Sequence, residues 1–160
     1  MKKAKVVLII IGIVSIVLGC FGLWYNSQTL FSVLSNPNAF EEEDTPYFYQ
    51  SFYTMSALCI CCYIGLITSG IQFIRLKTNL LILFIGILIF EFLYFFSIGT
   101  LWLSPRIGMS IAAATGVANG GLAPQIFTLF PIWASILAIW ATRKISKKPT
   151  LATEVVPEST

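Results

Sequence analysis

The chain has 160 residues, of which 57% are hydrophobic and only 11% are charged, and its formal net charge is +3. The charged share is about half that of ordinary soluble domains, and a single core of this size cannot hide so much apolar surface from water. The composition therefore excludes an ordinary soluble domain. The absence of histidine also removes the commonest metal ligand and the commonest general base.

Four apolar runs follow one another along the chain, and each is close to the roughly 20 residues that cross a hydrocarbon core. They cover approximately residues 6–25, 54–74, 80–103 and 125–142. Backbone polar groups in lipid must be satisfied within their own segment, so each run is predicted to be a helix. The sequence thus predicts an all-α, integral membrane four-helix up-down bundle. Residues 1–148 form this transmembrane domain, and residues 149–160 are expected to be a disordered cytoplasmic tail.

The lysine and arginine residues predict the orientation of the bundle. Arg106 is the single base on one side of the predicted membrane. The other side carries Lys2, Lys3, Lys5, Arg75, Lys77, Arg143, Lys144, Lys147 and Lys148. Such a positive-inside bias predicts that both termini lie in the cytoplasm, and we expect the cytoplasmic (inner) membrane of a bacterium.

An alternative interpretation concerns the N-terminus. The basic segment Met1–Lys5 and the apolar stretch that ends at Cys20 resemble a bacterial lipoprotein signal, in which Cys20 would be lipidated. Leu18 is bulkier than this pattern prefers, and Phe21 departs from it on the other side of the cysteine. The apolar run also continues to Tyr25, which is longer than an ordinary signal segment. The transmembrane interpretation is preferred for these reasons.

Both predicted outer loops contain segments that could form short outer-side helices. In residues 26–45, the apolar segment Leu30–Leu34 is predicted to lie as an interfacial helix, and Asp44-Thr45-Pro46 is typical of a helix start. In residues 104–124, a run rich in alanine and glycine is too short to cross a membrane. That run is either a helix on the outer surface or a re-entrant segment, which is tolerated only inside protein or beside a water-filled cavity.

Glu91 lies in the middle of the third apolar run. A charge at the bilayer centre costs on the order of 3 kcal/mol, so we expect Glu91 to face the bundle and to be largely protonated at neutral pH. Polar residues that lie at or near the membrane depth of Glu91 are its candidate hydrogen-bond partners. They are Tyr63, Tyr94, Ser15 and Thr128. Two interpretations stay open: a structural hydrogen bond to a neighbouring helix or subunit, or a site for a proton or cation.

Small residues form a stripe on each of the first two predicted helices. The first stripe consists of Gly12, Ser15, Gly19 and Gly22, and the second of Cys62, Gly65, Ser69 and Gln72. Small residues let membrane helices approach closely, so we predict that these two faces pack within the bundle. In the fourth run, Pro131 removes a helical hydrogen bond and frees the carbonyl of Phe127, which predicts a kink there.

The four cysteines lie in apolar runs, and Cys59 and Cys62 share a helix face. This placement argues against a disulfide framework and against a zinc site. The sequence predicts neither a metal nor a cofactor, and we interpret the cysteines as small apolar packing residues.

No catalytic triad, metal-ligand set or phosphate-binding loop is present, so we expect a protein that is not an enzyme. The first hypothesis is a non-enzymatic accessory or assembly protein that acts through helix–helix contacts. Its expected partners are the lipid bilayer and other membrane proteins or a second copy of itself, with no nucleic acid. The alternative is a small proton- or cation-coupled transporter or channel centred on Glu91.

Overall fold

The computed structural model describes residues 2–36, 48–101 and 120–146, with side chains up to residue 93 in the second range. Within these ranges the protein is 92% helical and contains no strand, which confirms the predicted all-α class. The helices are α1 (Lys2–Ser35), α2 (Phe48–Ile74), α3 (Leu81–Leu101), α4 (Ala123–Phe127) and α5 (Phe130–Ser146). A 3-10 turn at Gly120–Leu122 leads directly into α4. The segments 37–47, 102–119 and 147–160 lie outside the described residues. They contain most of the second outer loop, the acidic run Glu41–Asp44 and the tail.

Helix α1 continues well beyond its predicted span. It has 34 residues and is roughly 50 Å long at 1.5 Å per residue. The hydroxyls of Ser27 and Thr29 donate to carbonyls four residues back, so these polar side chains do not interrupt the helix. Val33 then packs against the buried Phe48 and Phe52 of α2. The separate interfacial helix expected at residues 30–34 is therefore corrected: this segment is the last part of α1.

Helices α2 and α3 are joined by a tight turn. Leu76 has a positive φ of 57°, the conformation that commonly ends a helix. The N–H of Leu76 donates to the carbonyl of Phe73 at 2.9 Å, and the N–H of Lys77 donates to that of Gln72 at 2.9 Å. This is the Schellman pattern, here with leucine where glycine is usual. The turn directs α3 back along α2.

The predicted fourth span is broken. Helices α4 and α5 meet at 61° across Thr128 and Leu129. Leu129 has a φ of 51°, and its N–H donates to the carbonyl of Ile126. Pro131 lies in the first turn of α5, where its missing N–H costs no helical hydrogen bond. The helix is therefore interrupted completely just before the proline, whereas the sequence predicts only a kink at this position.

The main apolar core lies between four helices. It includes Ala4 and Leu8 of α1, Phe73 of α2, Phe84 of α3 and Ala141 of α5. All of the described basic residues lie at the start of α1, at the α2–α3 turn or at the end of α5. We call these three segments the basic end, because their described charges are Lys2, Lys3, Lys5, Arg75, Lys77, Arg143 and Lys144.

Helices α1 and α2 are each long and apolar enough to cross a membrane, and α4 with α5 makes a third such unit if the bent pair is one span. The described apolar part of α3, Leu81–Leu93, is shorter. Large apolar side chains point outward, such as Val17, Trp24 and Phe31. Such exposure would be unfavourable in water and suits lipid. The protein accordingly has the helices of a membrane protein.

Candidate functional site

Glu91 lies on the inner face of α3. Its side chain is completely buried, and neither carboxyl oxygen makes a hydrogen bond of ordinary geometry with the described residues. Leu88, one turn earlier, belongs to the main apolar core, so Glu91 continues the same buried face. A carboxyl group with two open oxygens in an apolar interior is costly, and its neutral, protonated form is the less costly one.

Gln125 of α4 faces Glu91. Its side chain is also completely buried, and its amide lies close enough to interact with the Glu91 carboxyl group. Neither Nε2 nor Oε1 of Gln125 has a hydrogen bond of ordinary geometry with the described residues. A protonated carboxyl and a carboxamide are complementary, because each offers one donor and one acceptor. The two groups are therefore chemically suited to satisfy each other.

Sequence reasoning missed Gln125 as a partner of Glu91. It lies at the outer limit of the fourth run, one turn or about 4.5 Å beyond Thr128 along a straight helix, so the equal-depth argument did not select it. The break at Thr128 and Leu129 turns α4 into the bundle instead. The available signal was a polar residue directly after Pro124 and before an apolar run, but the position of the break cannot be read from that.

The four predicted partners of Glu91 have different positions. Ser15 is buried, but its hydroxyl donates to the carbonyl of Ile11 at 2.7 Å within α1. Thr128 is exposed in the break and donates to the carbonyl of Pro124 at 2.7 Å. Neither hydroxyl forms a hydrogen bond with Glu91 in the structure, because neither carboxyl oxygen has a hydrogen-bond partner among the described residues. The side chain of Tyr94 lies outside the described part of α3.

Tyr63, the remaining candidate, is fully buried on α2 near the same level of the bundle. Its ring lies directly against Gly22 of α1, where an added Cβ would overlap it. Tyr63 also packs in one buried cluster with Cys59, one turn earlier on α2. A Cβ at Gly121, just before α4, would lie 2.6 Å from the tyrosine hydroxyl. Tyr63 of α2 therefore contacts both α1 and the 3-10 turn, near the Glu91 and Gln125 side chains.

The small-residue stripe of α1 lies against α2. Gly12, Ser15, Gly19 and Gly22 are all buried. A Cβ at Gly12 would lie 2.7 Å from the carbonyl oxygen of Gly70, and a Cβ at Gly70 would lie 2.6 Å from that of Gly12. The two helices therefore approach backbone to backbone at this crossing, as small residues permit.

The stripe predicted on α2 is not the face that meets α1. The residues opposite the α1 glycines are Tyr63, Ile67, Gly70 and Ile74. Gly65 packs instead against Ile87 of α3, while Cys62 and Ser69 are buried within the bundle. The two sets differ by one or two residues at each position, a rotation of about 100° or 200°, so the predicted stripe points away from α1. Gly70 is the contact that the sequence pattern missed.

The cysteine thiols are all free. Cys59 and Cys62 are buried, whereas Cys20 and Cys61 are exposed on the outward helix faces. No group of three or more potential metal ligands occurs among the described residues. No protein-family model, no curated protein and no solved structure matches the chain.

Proposed function

We propose that the protein is a multi-pass, four-helix membrane protein of a bacterial inner membrane, with both termini in the cytoplasm. We further propose a non-enzymatic accessory or assembly role, in which the bundle binds a transmembrane helix of another membrane protein. The even number of passes is supported by the positions of the described bases, at the start of the first helix, at the α2–α3 turn and at the end of the last helix.

The observation that carries the accessory role is the outward face of α3. Ile82, Gly86, Ile89 and Leu93 follow one another at helical spacing and are all exposed, Ile82 at 86%. An added Cβ at Gly86 would meet nothing within 4 Å. In lipid, an apolar face alone attracts no helix, but a small residue within it permits close approach. The glycines of α1, by contrast, already pack against α2.

A groove beside this face would widen the contact. It runs between α3 and α5 and is lined by Leu88, Ile89, Phe92, Leu93, Pro131, Ile132 and Ser135. Ser135 is the polar member, and its hydroxyl donates to the carbonyl of Pro131 at 2.7 Å, so the groove offers mainly apolar shape. A partner helix lying over Gly86 would therefore contact both α3 and α5.

The test is a pair of matched substitutions in the full chain, purified in mild detergent with every associated chain identified and quantified. Gly86→Leu adds a side chain where no described residue lies within 4 Å of the new Cβ, so the bundle should remain folded while a stoichiometric partner is lost. Val17→Leu, on the exposed face of α1, is the control and should retain the partner. Loss of the same partner in both variants, or in neither, would contradict a docking face on α3.

A second function, a small proton- or cation-coupled transporter or channel, is favoured by the buried Glu91 and Gln125 beside a broken helix. Broken membrane helices often accompany ion-binding sites. This hypothesis predicts that Glu91→Gln abolishes proton flux in liposomes while the protein stays folded. Thr128→Val, which alters an exposed residue of the break, should leave that flux unchanged. Normal flux in Glu91→Gln would remove Glu91 from the mechanism.

A further inference from the structure

We propose that the outward face of α5 at the basic end binds one anionic phospholipid, with the phosphate on Arg143 and Lys144 and an acyl chain along the preceding two turns. The face consists of Ile136, Ile139, Trp140, Arg143 and Lys144. This inference is independent of the proposed partner-binding role, because it uses a different surface and a different ligand.

The order of these residues along α5 matches the order of groups in a lipid. Positions 136, 139, 140, 143 and 144 fall on one side of a helix with 3.6 residues per turn. Ile136 and Trp140 are both substantially exposed, at 61% and 41%. From Ile136 to Arg143 the helix rises roughly 10 Å, so apolar surface changes to cationic surface over a short distance. Trp140 lies at the boundary, where tryptophan is favoured in membranes.

The positive charge of this face has no counter-charge within the described chain. Glu91 is the single acidic residue among the described ranges, and it is buried in the bundle away from the basic end. Arg143 and Lys144 are both exposed, and they lie at the same end as five other described bases. The field at this end therefore attracts an anion, and a membrane supplies anionic headgroups at this depth.

The chemistry of the two bases suits a phosphodiester. The guanidinium of Arg143 can donate two parallel hydrogen bonds to phosphate oxygens, and the Lys144 ammonium adds a mobile point charge. A base near an anionic membrane surface contributes about fivefold to affinity, so the pair should contribute about 30-fold. A soluble phosphate would gain only this electrostatic part, whereas a lipid also gains contact with Ile136 and Trp140.

The experiment uses the full chain, released from detergent micelles in a native mass spectrometer, with phosphatidylglycerol and phosphatidylcholine of the same acyl chains as probes. We expect one phosphatidylglycerol to be retained in preference to phosphatidylcholine. The double variant Arg143→Gln, Lys144→Gln should weaken that retention by about 30-fold. The matched control Lys2→Gln, Lys3→Gln removes two exposed bases of the same end on α1 and should change it by no more than about twofold.

The acyl contact is tested separately. Ile136→Ser should weaken retention of phosphatidylglycerol but leave the direct binding of glycerol phosphate unchanged, because it removes only apolar surface. If the Arg143→Gln, Lys144→Gln variant and the Lys2→Gln, Lys3→Gln variant lost the same amount of lipid retention, the proposal would be overturned. The lipid would then be attracted by the summed charge of the whole basic end and not by a site on α5. Equal retention of the two lipids, or equal binding of glycerol phosphate and phosphatidylglycerol, would overturn it as well.

Discussion

The carboxyl group of Glu91 on α3 and the carboxamide of Gln125 on α4 face each other in the interior of the bundle, and both side chains are 0% exposed. This pair connects a continuous helix to a short, broken one. The two residues lie 34 positions apart in sequence and come together because the chain bends at Thr128 and Leu129. The pair is therefore a tertiary contact that depends on the break.

Removing one member of this pair should destabilise the protein more than removing both. Gln125→Leu leaves the Glu91 carboxyl without a polar neighbour, and we expect it to lower the free energy of unfolding by about 1–2 kcal/mol. The double variant Glu91→Leu, Gln125→Leu should recover most of that loss, because two apolar groups replace two polar ones. Unfolding in mixed detergent micelles measures each value, and Gln28→Leu on the exposed side of α1 is the control. Strictly additive effects would mean that the two side chains do not interact.

The crossing of α1 and α2 should be intolerant of even one methyl group. Gly12→Ala would place a Cβ 2.7 Å from the Gly70 carbonyl oxygen, which is backbone and can move only if a helix moves. We expect a loss of about 1–3 kcal/mol in the free energy of unfolding, typical of overpacking. Gly86→Ala is the matched control, because nothing lies within 4 Å of its added Cβ. Equal stability of the two variants would show that α1 and α2 do not approach this closely.

The length of the apolar runs alone predicts the helical class, because helices are the ordinary way for a single segment to satisfy its backbone in lipid. The buried side of α1 follows from the same reasoning, since Gly12, Ser15, Gly19 and Gly22 recur at helical spacing. The inward direction of Glu91 follows from the cost of placing a carboxyl in lipid.

Other features depend on packing that the sequence does not display. The face of α2 that meets α1 contains both the large Tyr63 and the small Gly70. Whether such a pair fits depends on the shape of the opposite helix. The break in the fourth run requires a left-handed conformation at Leu129, a residue type that gives no such signal. Gln125 could be assigned to Glu91 only after that break was known.

The conformation of Leu129 predicts an unusual response to glycine. A non-glycine residue with φ of 51° is strained by roughly 1–2 kcal/mol, and glycine adopts this conformation without that cost. Leu129→Gly should therefore be neutral or stabilising, since Leu129 is also largely exposed. Leu137→Gly, in the regular part of α5, should instead lower the free energy of unfolding by about 1 kcal/mol. Thermal unfolding of the two variants in one detergent compares them, and a larger loss at Leu129 would contradict a strained break.

The shared basic end predicts that three distant positions react from the same side of the membrane. In a Cys20→Ala, Cys61→Ala background, which removes the two exposed thiols, cysteines would replace Lys3, Lys77 or Lys144 one at a time. A membrane-impermeant maleimide added to intact spheroplasts should label none of the three, and all three should react once the membrane is opened.

A cysteine in place of Asn36, just beyond the far end of α1, should show the opposite behaviour. It should react in intact spheroplasts, because α1 is long enough to carry it across the hydrocarbon core. Reaction of Lys3→Cys and Lys144→Cys from different sides would require an odd number of passes. That result would contradict the proposed four-helix topology with both termini in the cytoplasm.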